Sequence, residues 1–501
     1  MNYCNIKNGQ TIPFNTIPVM EYPLFRKQII QLLENKDCHC LNYFGYPQKG
    51  NQLQLICCIG NDTTSEIYVF SFLHDLNAHS ILDSITREHF GMHIFEREIS
   101  EKFGIEFADH PWNKPVRYPF DRFDKSSNFK NYPFYHIEST ELHEVGVGPI
   151  HAGIIEPGHF RFICNGEKVL HLEIHQGYQH RGIESLFLQK KSLLERTILA
   201  ESIAGDSVAA NTTAFSMLME SMGNIPISKQ SSLIRTIAIE LERAAIHTGD
   251  LSALCTDIAY QEGSAVLQGL RTILINTFLI WNGNRFARRL IRVGANPFPI
   301  NEQIKNAILK NLEKFEFQFN EMSNYMFNDP GVLARFEDTG VVTNEQAQKM
   351  QLVGMAARTC GIPRDIRKSH PYETFKEIKH TPICLETGDV FARAMLRRLE
   401  VTQSLQYIRT LLKENEQEEI SRRNEIKLQA NVFSIAITEG WRGEHCHCAI
   451  TDQNGELSAY KIKDPSLHNW MGLALAVRNN DISDFPVCNK SFDLSYCGYD
   501  L

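Results

Sequence analysis

Apolar residues recur with two different periods along this chain and predict a strand-rich beginning and a helical second half. Gln52–Ile59 and Glu66–Leu73 are rich in β-branched and aromatic residues and predict two neighbouring strands. Gly60–Asp62 between them has the composition of a turn. Phe95–Phe103 places large apolar residues four apart and precedes Gly104, which predicts a helix that stops at the glycine.

Four long helices are predicted further along the chain from apolar residues that fall on one helical face. They are Lys229–Cys255, Ala265–Leu290, Glu302–Met326 and Asp389–Glu414. The charged run Glu414–Arg423 is expected to be solvent-exposed helix, with an interaction tail as the alternative. From Val432 onwards the pattern predicts strands and loops.

A change in composition divides the chain. Residues 122–140 are dominated by Ser, Asn, Lys, Asp and Tyr without apolar periodicity, which is typical of a linker. The sequence therefore predicts a small α/β domain at residues 1–121 and a large, mainly α-helical domain at residues 141–501. The expected fold class is α+β, with a bundle of long helices and small peripheral β-sheets in the second domain.

Composition and charge exclude several classes of protein. The 501 residues are 43% hydrophobic and 22% charged, so the chain is too apolar to be disordered and long enough for a large core. The net charge of −8 and the lack of a basic run argue against nucleic-acid binding. Residues 1–10 do not resemble a secretory signal, and Ile273–Trp281, the most apolar helical stretch, is shorter than the roughly 20 residues that cross a bilayer. We therefore expect neither a targeting nor a spanning segment.

Two dense groups of polar residues are candidates for chemistry. Residues 151–184 carry several histidines, arginines and glutamates, which suits acid–base work or metal ligation but also fits ordinary loop and core histidines. The block Arg358–Arg367 surrounds a Gly/Pro turn with arginines. Such arginines can lock a buried loop by two-point pairing with carboxylates, and this structural role is the one predicted.

The 13 cysteines are odd in number and scattered, which suits a reducing compartment and leaves metal binding open. None of them forms a CxxC pair. In the segment 444–448, strand spacing puts the two histidines on one face and the two cysteines on the other, so zinc is not expected there. Gly146–Gly148 lacks the third glycine of a dinucleotide loop, and direct NAD binding is therefore poorly supported.

Several motifs together resemble one family of redox proteins. The block Phe95–Ile105, followed by His110-Pro111, resembles the signature of the 30 kDa subunit of respiratory complex I. From about Gly148 the chain resembles the complex I 49 kDa subunit and, more closely, the large subunits of group 4 membrane-bound nickel–iron hydrogenases of the formate hydrogenlyase and hydrogenase-4 type, which carry the same fusion. This second resemblance rests on G-P-I-H, E-P-G-H-F-R, H-R-G-I-E, the Arg358–Arg367 block and Glu439–Glu444.

The resemblance implies a place in a membrane complex. Such subunits lie on the cytoplasmic side, held peripherally at the inner face of the cell membrane by the rest of the complex. They pack against an iron–sulfur small subunit similar to the small cluster-bearing subunit of complex I. Redox chemistry at that interface is coupled to the membrane-arm subunits.

The resemblance also locates the nickel–iron ligands, which in the family are the thiolates of two CxxC pairs. Ala204 and Ser207 stand at the first pair, and Ser495 and Gly498 stand at the second. Cys497 is one residue out of register. We therefore expect that the chain has lost the nickel–iron centre and holds no cofactor of its own, the iron–sulfur cluster being in the partner.

Three residues are the candidate catalytic groups. His159 matches approximately the histidine that contacts quinone in the complex I subunits and is assigned as a proton donor or polar contact. Asp206 is assigned as a proton-relay carboxylate and Arg442 as an electrostatic stabiliser. The quinone-contacting tyrosine of the family falls near Gly205, so that contact is lost. Glu184 matches a magnesium-ligand position of some hydrogenases, but its C-terminal histidine partner is missing and magnesium is not expected.

The leading hypothesis is a hydrogenase-derived core subunit of a membrane-associated redox complex related to NADH:quinone oxidoreductase and formate hydrogenlyase. It would contribute to electron transfer coupled to ion translocation, with a quinone or a small redox carrier as the acceptor. A non-catalytic structural or coupling subunit is the alternative. A working nickel–iron hydrogenase with unusual ligands is the third hypothesis, and no activity is expected of the isolated chain.

Overall fold

The first part of the chain is built on a five-stranded sheet. The structure is a computed structural model and describes residues 2–78, 81–153, 155–416 and 419–501. Its first elements, in chain order, are β1 (Cys4–Ile6), β2 (Thr11–Pro13), β3 (Val19–Met20), α1 (Tyr22–Leu33), β4 (Cys38–Gln48), β5 (Gln52–Asn61), β6 (Glu66–Asp75), β7 (Leu82–Asp83), α2 (His93–Phe103) and β8 (Phe107–Ala108). Strands β1, β6, β5 and β4 lie side by side in that order and are antiparallel, while β3 pairs in parallel with β6.

The predictions for this part are largely confirmed. The two predicted strands are β5 and β6, which pair over their whole length from Gln52 to Asn61. The turn was predicted too early, because β5 continues through Asn61 and the turn comes after it. Helix α2 ends as predicted at Gly104, which adopts a φ of +74° and donates its backbone N–H to the carbonyl of Ser100. Glycine terminates a helix well because it adopts this left-handed conformation without strain.

The second part is mainly helical and carries two further sheets, which agrees with the expected α+β class. Its elements are β9 (His143–Val147), β10 (His159–Asn165), β11 (Lys168–His175), α3 (Ile183–Gln189), α4 (Leu193–Ala200), α5 (Val208–Met222), α6 (Lys229–Asp257), α7 (Gln261–Asn282), α8 (Glu302–Met326), α9 (Pro330–Phe336), α10 (Asn344–Lys349), α11 (Gly354–Arg358), α12 (Ile366–Ser369), α13 (Val390–Glu414), β12 (Val432–Glu439), β13 (Glu444–Thr451), β14 (Leu457–Lys463), α14 (Ser466–Ala476), α15 (Phe485–Phe492) and α16 (Tyr496–Asp500).

The long helices form the expected bundle. Helix α6 packs against α7 and α13, and α7 packs against α8. Three of the four predicted helices agree with α6, α8 and α13 to within a few residues. The end predicted for the remaining helix is wrong, because α7 ends at Asn282, where Gly283 adopts a φ of +76° and breaks the helix.

Two predictions near the end of the chain are also wrong. Helix α13 ends at Glu414, and the described residues of the run 415–423 are not helical, although they are mostly exposed; residues 417 and 418 lie outside the described residues. Strands do begin at Val432, but the helices α14 to α16 come after them. The sequence of this run is rich in charges and has no apolar face, so it lacks the apolar stripe that holds the other helices against the bundle.

Helix α7 passes a simple test for a membrane span. The apolar stretch Ile273–Trp281 is only part of this helix of 22 residues, which contains an 18-residue window with a mean hydropathy of 1.3. By length and composition this is enough to cross a bilayer. Since 39% of that window is buried against the rest of the protein, and core helices pass the same test, α7 is weak support for a span.

The first and second parts are joined by extensive contacts. Strand β2 completes the four-stranded sheet β14-β13-β12-β2, in which Ile12 lies opposite Phe433. His39 Nε2 lies 2.7 Å from Glu444 Oε2, so β4 also contacts β13. Strands β12 and β13 are buried along their whole length between these layers. The boundaries at residues 121 and 141 stay a prediction.

Candidate functional site

The candidate site lies where three segments of the second part meet. These are the loop before α5, the corner between β12 and β13, and the loop before α16. Arg442 at the corner links all three, because its Nη1 and Nη2 donate to Oδ1 and Oδ2 of Asp206 at 2.8 and 2.7 Å. Its Nε donates to the backbone carbonyl of Asp493 at 2.5 Å. The guanidinium also lies over the ring of Trp441, 3.9 Å from the ring centroid.

The corner that presents Arg442 depends on two glycines. Gly443 adopts a φ of +145° and lies against Gly354. A Cβ atom on Gly354 would lie 2.1 Å from the Cα of Gly443, closer than any side chain can approach. The chain therefore needs glycine at both positions to bring α11 under the corner and to fix the direction of Arg442.

A second arginine, Arg181, also links the loop before α5 to α16. Arg181 donates to the carbonyl oxygens of Ser202 at 2.6 Å and Ile203 at 2.8 Å, in the loop before α5. It also lies 3.3 Å from the carbonyl oxygen of Cys497 on α16. Arg181 belongs to the H-R-G-I-E motif, and its contacts give that motif a clear structural role.

The residues at the former ligand positions do not supply four thiolates. Ala204 and Ser207 are fully buried, and Ser495 Oγ accepts the backbone N–H of Gly498 at 2.9 Å as the cap of α16. A Cβ atom on Gly498 would lie 2.5 Å from Oδ2 of Asp464, so no cysteine fits there without a rearrangement. These donors do not match a nickel–iron centre, which requires soft thiolate ligands.

Cys497 places one thiol next to these positions. Its Sγ lies 3.4 Å from Ser495 Oγ. Burial raises the pKa of the Cys497 thiol to about 11, so the thiol is protonated at neutral pH. One sulfur is three short of the four thiolates that a nickel–iron centre requires.

Two buried carboxylic acids that sequence reasoning missed border the site. Glu242 on α6 accepts the backbone N–H groups of Ala209 at 2.8 Å and Ala210 at 3.3 Å, at the first turn of α5. Burial raises the pKa of Glu242 to about 8. Asp250, further along α6, accepts from Nε of Arg397 at 2.9 Å, and burial together with the charge of Asp493 raises its pKa to about 8. Both acids can therefore carry a proton at neutral pH.

His159 lies apart from the other two candidate residues. Its Nδ1 is 3.1 Å from the carbonyl oxygen of Gly148, and its ring meets Phe134 edge-on. Burial lowers the pKa of His159, which favours the neutral imidazole. Among the described residues, no hydrogen bond or ion pair connects His159 to Asp206 or Arg442. The structure thus joins two of the three predicted groups and leaves the histidine separate.

The other polar motifs have structural partners. Arg358 donates to Glu439 at 2.7 Å and to Glu400 at 2.8 Å, which confirms the predicted locking of a buried loop. In β13 the two faces divide as predicted: His447 contacts Tyr460 at 2.8 Å, while the cysteines of the strand face the first part of the chain. All 13 cysteines lie in the described part of the chain and are free thiols.

Glu184, which matches a magnesium-ligand position of some hydrogenases, is bonded to other residues of the protein. Its Oε1 accepts the backbone N–H of Ile462 at 3.0 Å and lies 3.0 Å from Nζ of Lys461. Of the residues that sequence reasoning missed, Arg181 had a motif signal, whereas Glu242 and Asp464 had none. Their roles depend on the approach of α6 and of the loop after β14, which no local pattern encodes.

Comparison with known proteins agrees with this architecture. Residues 257–432 match the family described as respiratory-chain NADH dehydrogenase, 49 Kd subunit. Hydrogenase-4 component G of Escherichia coli is 24% identical over 418 residues, which cover 80% of this chain and 72% of that protein. The carbon monoxide-induced hydrogenase of Rhodospirillum rubrum is 26% identical over 70% of this chain and 96% of its own length. An NADH-quinone oxidoreductase subunit of Chloroherpeton thalassium is 26% identical over 66% of this chain and 80% of its own length.

These matches make the chain similar to subunits of hydrogenases and of NADH-quinone oxidoreductases. The chain is a homologue of the complex I 49 kDa subunit and of the large subunits of group 4 hydrogenases, with hydrogenase-4 component G among its relatives.

Proposed function

We propose that this chain is a hydrogenase-derived core subunit of a membrane-associated redox complex and that it works without a nickel–iron centre. The kinship with hydrogenase large subunits and with NADH-quinone oxidoreductase subunits supports the role of a core subunit. The observation that carries the metal-free assignment is the position of Asp464, whose Oδ2 would lie 2.5 Å from a Cβ atom at residue 498. The Asp206–Arg442 ion pair beside the expected ligand positions supports it.

Within such a complex the site would handle charge and protons rather than bind hydrogen at a metal. Arg442 presents a permanent positive charge beside Asp206, whose side chain is 36% exposed and so accessible to a ligand or to water. Glu242 and Asp250, whose pKa values are about 8, border this site and are the proposed proton-carrying groups. A quinone or another small redox carrier is the proposed electron acceptor.

The surrounding assembly belongs to the same proposal. We infer a fused form of the two complex I subunits that the chain resembles, held at the inner face of the cell membrane by membrane-arm subunits. An iron–sulfur small subunit, similar to the small cluster-bearing subunit of complex I, would deliver electrons through its cluster. Ion translocation would then be coupled to the electron transfer.

The test uses the complex purified from membranes, with nickel content and electron transfer to a water-soluble quinone measured on one preparation. We expect less than stoichiometric nickel and a turnover that falls in Arg442→Ala and Asp206→Asn. Arg87→Gln is the matched control, since Arg87 and its partner Asp109 are 63% and 72% exposed and lie outside the site. One nickel per chain would contradict the metal-free assignment.

Unchanged turnover in both site variants would contradict the catalytic assignment instead. Such a result would favour the non-catalytic coupling subunit, in which Arg442 serves only to hold three segments together. His159→Ala tests the histidine independently of the ion pair, because His159 has no contact with Asp206 or Arg442. A change in turnover in this variant would show that His159 has a role of its own.

A further inference from the structure

A cavity lies between the first and second parts of the chain, away from the ion pair of Arg442. Its volume is about 290 Å³. One wall is a single face of α14, which contributes Leu467, Trp470, Met471 and Ala474 at helical spacing. The opposite wall comes from α2 and from β11. A cavity of about 150 Å³ holds one benzene ring, so this space fits a molecule of one or two rings.

Aromatic rings and aliphatic side chains form most of the surface of the cavity. Trp112 and Trp470 line it together with Phe90 and Tyr499. The ring of Phe90 stacks on that of His93, and Trp112 meets the ring of His171 edge-on, so the rings are held in fixed orientations. Aromatic walls of this kind favour a flat ring system by stacking and by burial of apolar surface.

The charged side chains around the cavity have a net positive charge. Arg97 is only 6% exposed, and its guanidinium donates to the backbone carbonyls of Lys114 at 2.7 Å and Pro115 at 2.8 Å. Arg478 at the rim lies 3.3 Å from Nδ1 of His171. Within the described part of the chain neither arginine has a carboxylate oxygen within 4.0 Å. Arg478 is exposed, whereas Arg97 is buried, and a buried charge is normally paired. The described residues therefore leave the charge of Arg97 without a countercharge.

The other ionisable groups of the cavity do not supply that countercharge. Glu173 is the acidic residue of the lining, and it is already paired with Nζ of Lys114 at 2.5 Å. Burial lowers the pKa of both His93 and His171, which keeps the two imidazoles neutral at physiological pH. The lining therefore carries a net positive charge from its arginines.

Two buried polar atoms of the lining also have no hydrogen-bond partner among the residues that the structure describes. They are Nε1 of Trp470, a residue that is 4% exposed, and Nε2 of His171. Buried polar atoms are nearly always satisfied by protein, water or ligand. An anionic group in the cavity could accept the indole N–H and bring a negative charge to the arginines at the same time.

We propose that this cavity is a binding site for a small aromatic acid, a planar molecule of one or two rings with one carboxylate. The rings would stack between Trp112 and Trp470, and the carboxylate would face Arg97 and Arg478. Because the cavity is lined from both α2 and α14, a bound acid would link the first part of the chain to the second. The proposal does not depend on the function assigned above to the ion-pair site.

The test measures binding of indole-3-carboxylate to the full chain by calorimetry and by quenching of tryptophan fluorescence, since two of the four tryptophans line the cavity. Indole-3-carboxamide has the same ring without the charge, and acetate has the charge without the ring. We expect the carboxylate to bind at least about tenfold more tightly than either. No binding of indole-3-carboxylate at millimolar concentration, or equal binding of all three, would overturn the proposal.

Substitutions at Arg478 and Trp112 test whether the binding occurs in this cavity. Arg478→Gln should weaken the carboxylate by about tenfold or more and leave the carboxamide unchanged, and Arg478→Lys should restore part of the difference. Arg335→Gln is the matched control, because Arg335 is exposed, pairs with Asp484 and lies outside the lining. Trp112→Leu should weaken both ring compounds. Unchanged affinity in Arg478→Gln and Trp112→Leu would place the binding elsewhere and refute the proposal.

Discussion

Asp206 and Arg442 form a two-point ion pair in which both carboxylate oxygens accept from the guanidinium, at 2.8 and 2.7 Å. The arginine is 4% exposed and the aspartate 36% exposed, so the pair lies at the boundary between core and solvent. It connects the loop before α5 to the corner after β12. Because Arg442 also donates to the Asp493 carbonyl, the pair joins the two segments in which the family resemblance places the lost cysteines.

Removal of the guanidinium should be costly. Arg442→Met leaves Asp206 unpaired and deletes the contact to the Asp493 carbonyl, so we expect a loss of about 3–5 kcal/mol in the free energy of unfolding. Asp206→Asn should cost less, because the aspartate is partly solvated. Denaturant unfolding followed by circular dichroism measures both. Arg87→Gln, in an exposed pair, should stay within about 1 kcal/mol of the wild type. Equal effects at Arg442 and Arg87 would refute the assignment.

Gly498 should not tolerate a side chain. Gly498→Ala places a Cβ atom 2.5 Å from Asp464 Oδ2 and should lower stability by about 1–3 kcal/mol, the usual cost of overpacking. Gly269→Ala is the matched control, since no atom lies near that position on the exposed face of α7 and alanine favours a helix. The midpoint of thermal unfolding should therefore fall in the first variant and stay or rise in the second.

The close approach of Asp464 to residue 498 also predicts the result of cysteine replacement. A variant with cysteines at Ala204, Ser207, Ser495 and Gly498 recreates the spacing of the family but not the space around it. We expect no nickel in this variant when the metal is measured in the purified complex. Nickel bound at one equivalent would show that Asp464 moves aside easily, and would contradict the steric argument.

Glu242 should make stability depend on pH. Its pKa of about 8 means that the folded protein keeps a proton that the unfolded chain loses near pH 4.3. The stabilisation is complete below that lower value and is lost as the pH rises to about 8, at roughly 1.4 kcal/mol per pH unit. Glu242→Gln should flatten the pH dependence of the unfolding midpoint between pH 5 and pH 8. Glu262→Gln, on the exposed first turn of α7, should leave the wild-type slope. A wild-type slope in Glu242→Gln would contradict the assignment.

Ile12 should be essential for the four-stranded sheet. It is 8% exposed and lies opposite Phe433, so Ile12→Asp buries a charge without a partner and opens the edge of β12. We expect aggregation in light scattering and a large drop in the unfolding midpoint. Asn15→Asp, at an exposed position just beyond the strand, is the control and should behave like the wild type.

Local patterns predicted the regular elements well because each depends on few neighbours. The steps of four in α2 and the glycine at residue 104 determine both the helix and its end. The helix boundary at Asn282 was missed because the apolar pattern continues past Gly283, while the left-handed glycine ends the helix whatever residues come after it. Helix α14 was missed because its residues are apolar on several faces and show little periodicity. Helices α15 and α16 have only eight and five residues, too few for a periodic pattern to stand out.

The site was predictable only where a motif marked it. Arg442 stands in the Glu439–Glu444 motif and Asp206 beside a former cysteine position, and the structure brings the two together. Asp464 and Glu242 lie in segments without a signal, and their proximity depends on how α6 and the loop after β14 pack. His159 begins β10 of the three-stranded sheet, whereas Arg442 lies between β12 and β13 of another sheet, and spacing along the sequence does not encode this separation.

The pairing of β2 with β12 has a consequence for biosynthesis. Strand β2 is synthesised about 420 residues before β12, because Ile12 pairs with Phe433. This sheet therefore cannot be completed during synthesis until Phe433 has been made, and β2 stays unpaired until then. A stalled or prematurely terminated product would keep that strand exposed, which makes this short segment a mark by which quality-control chaperones could tell incomplete chains from finished ones.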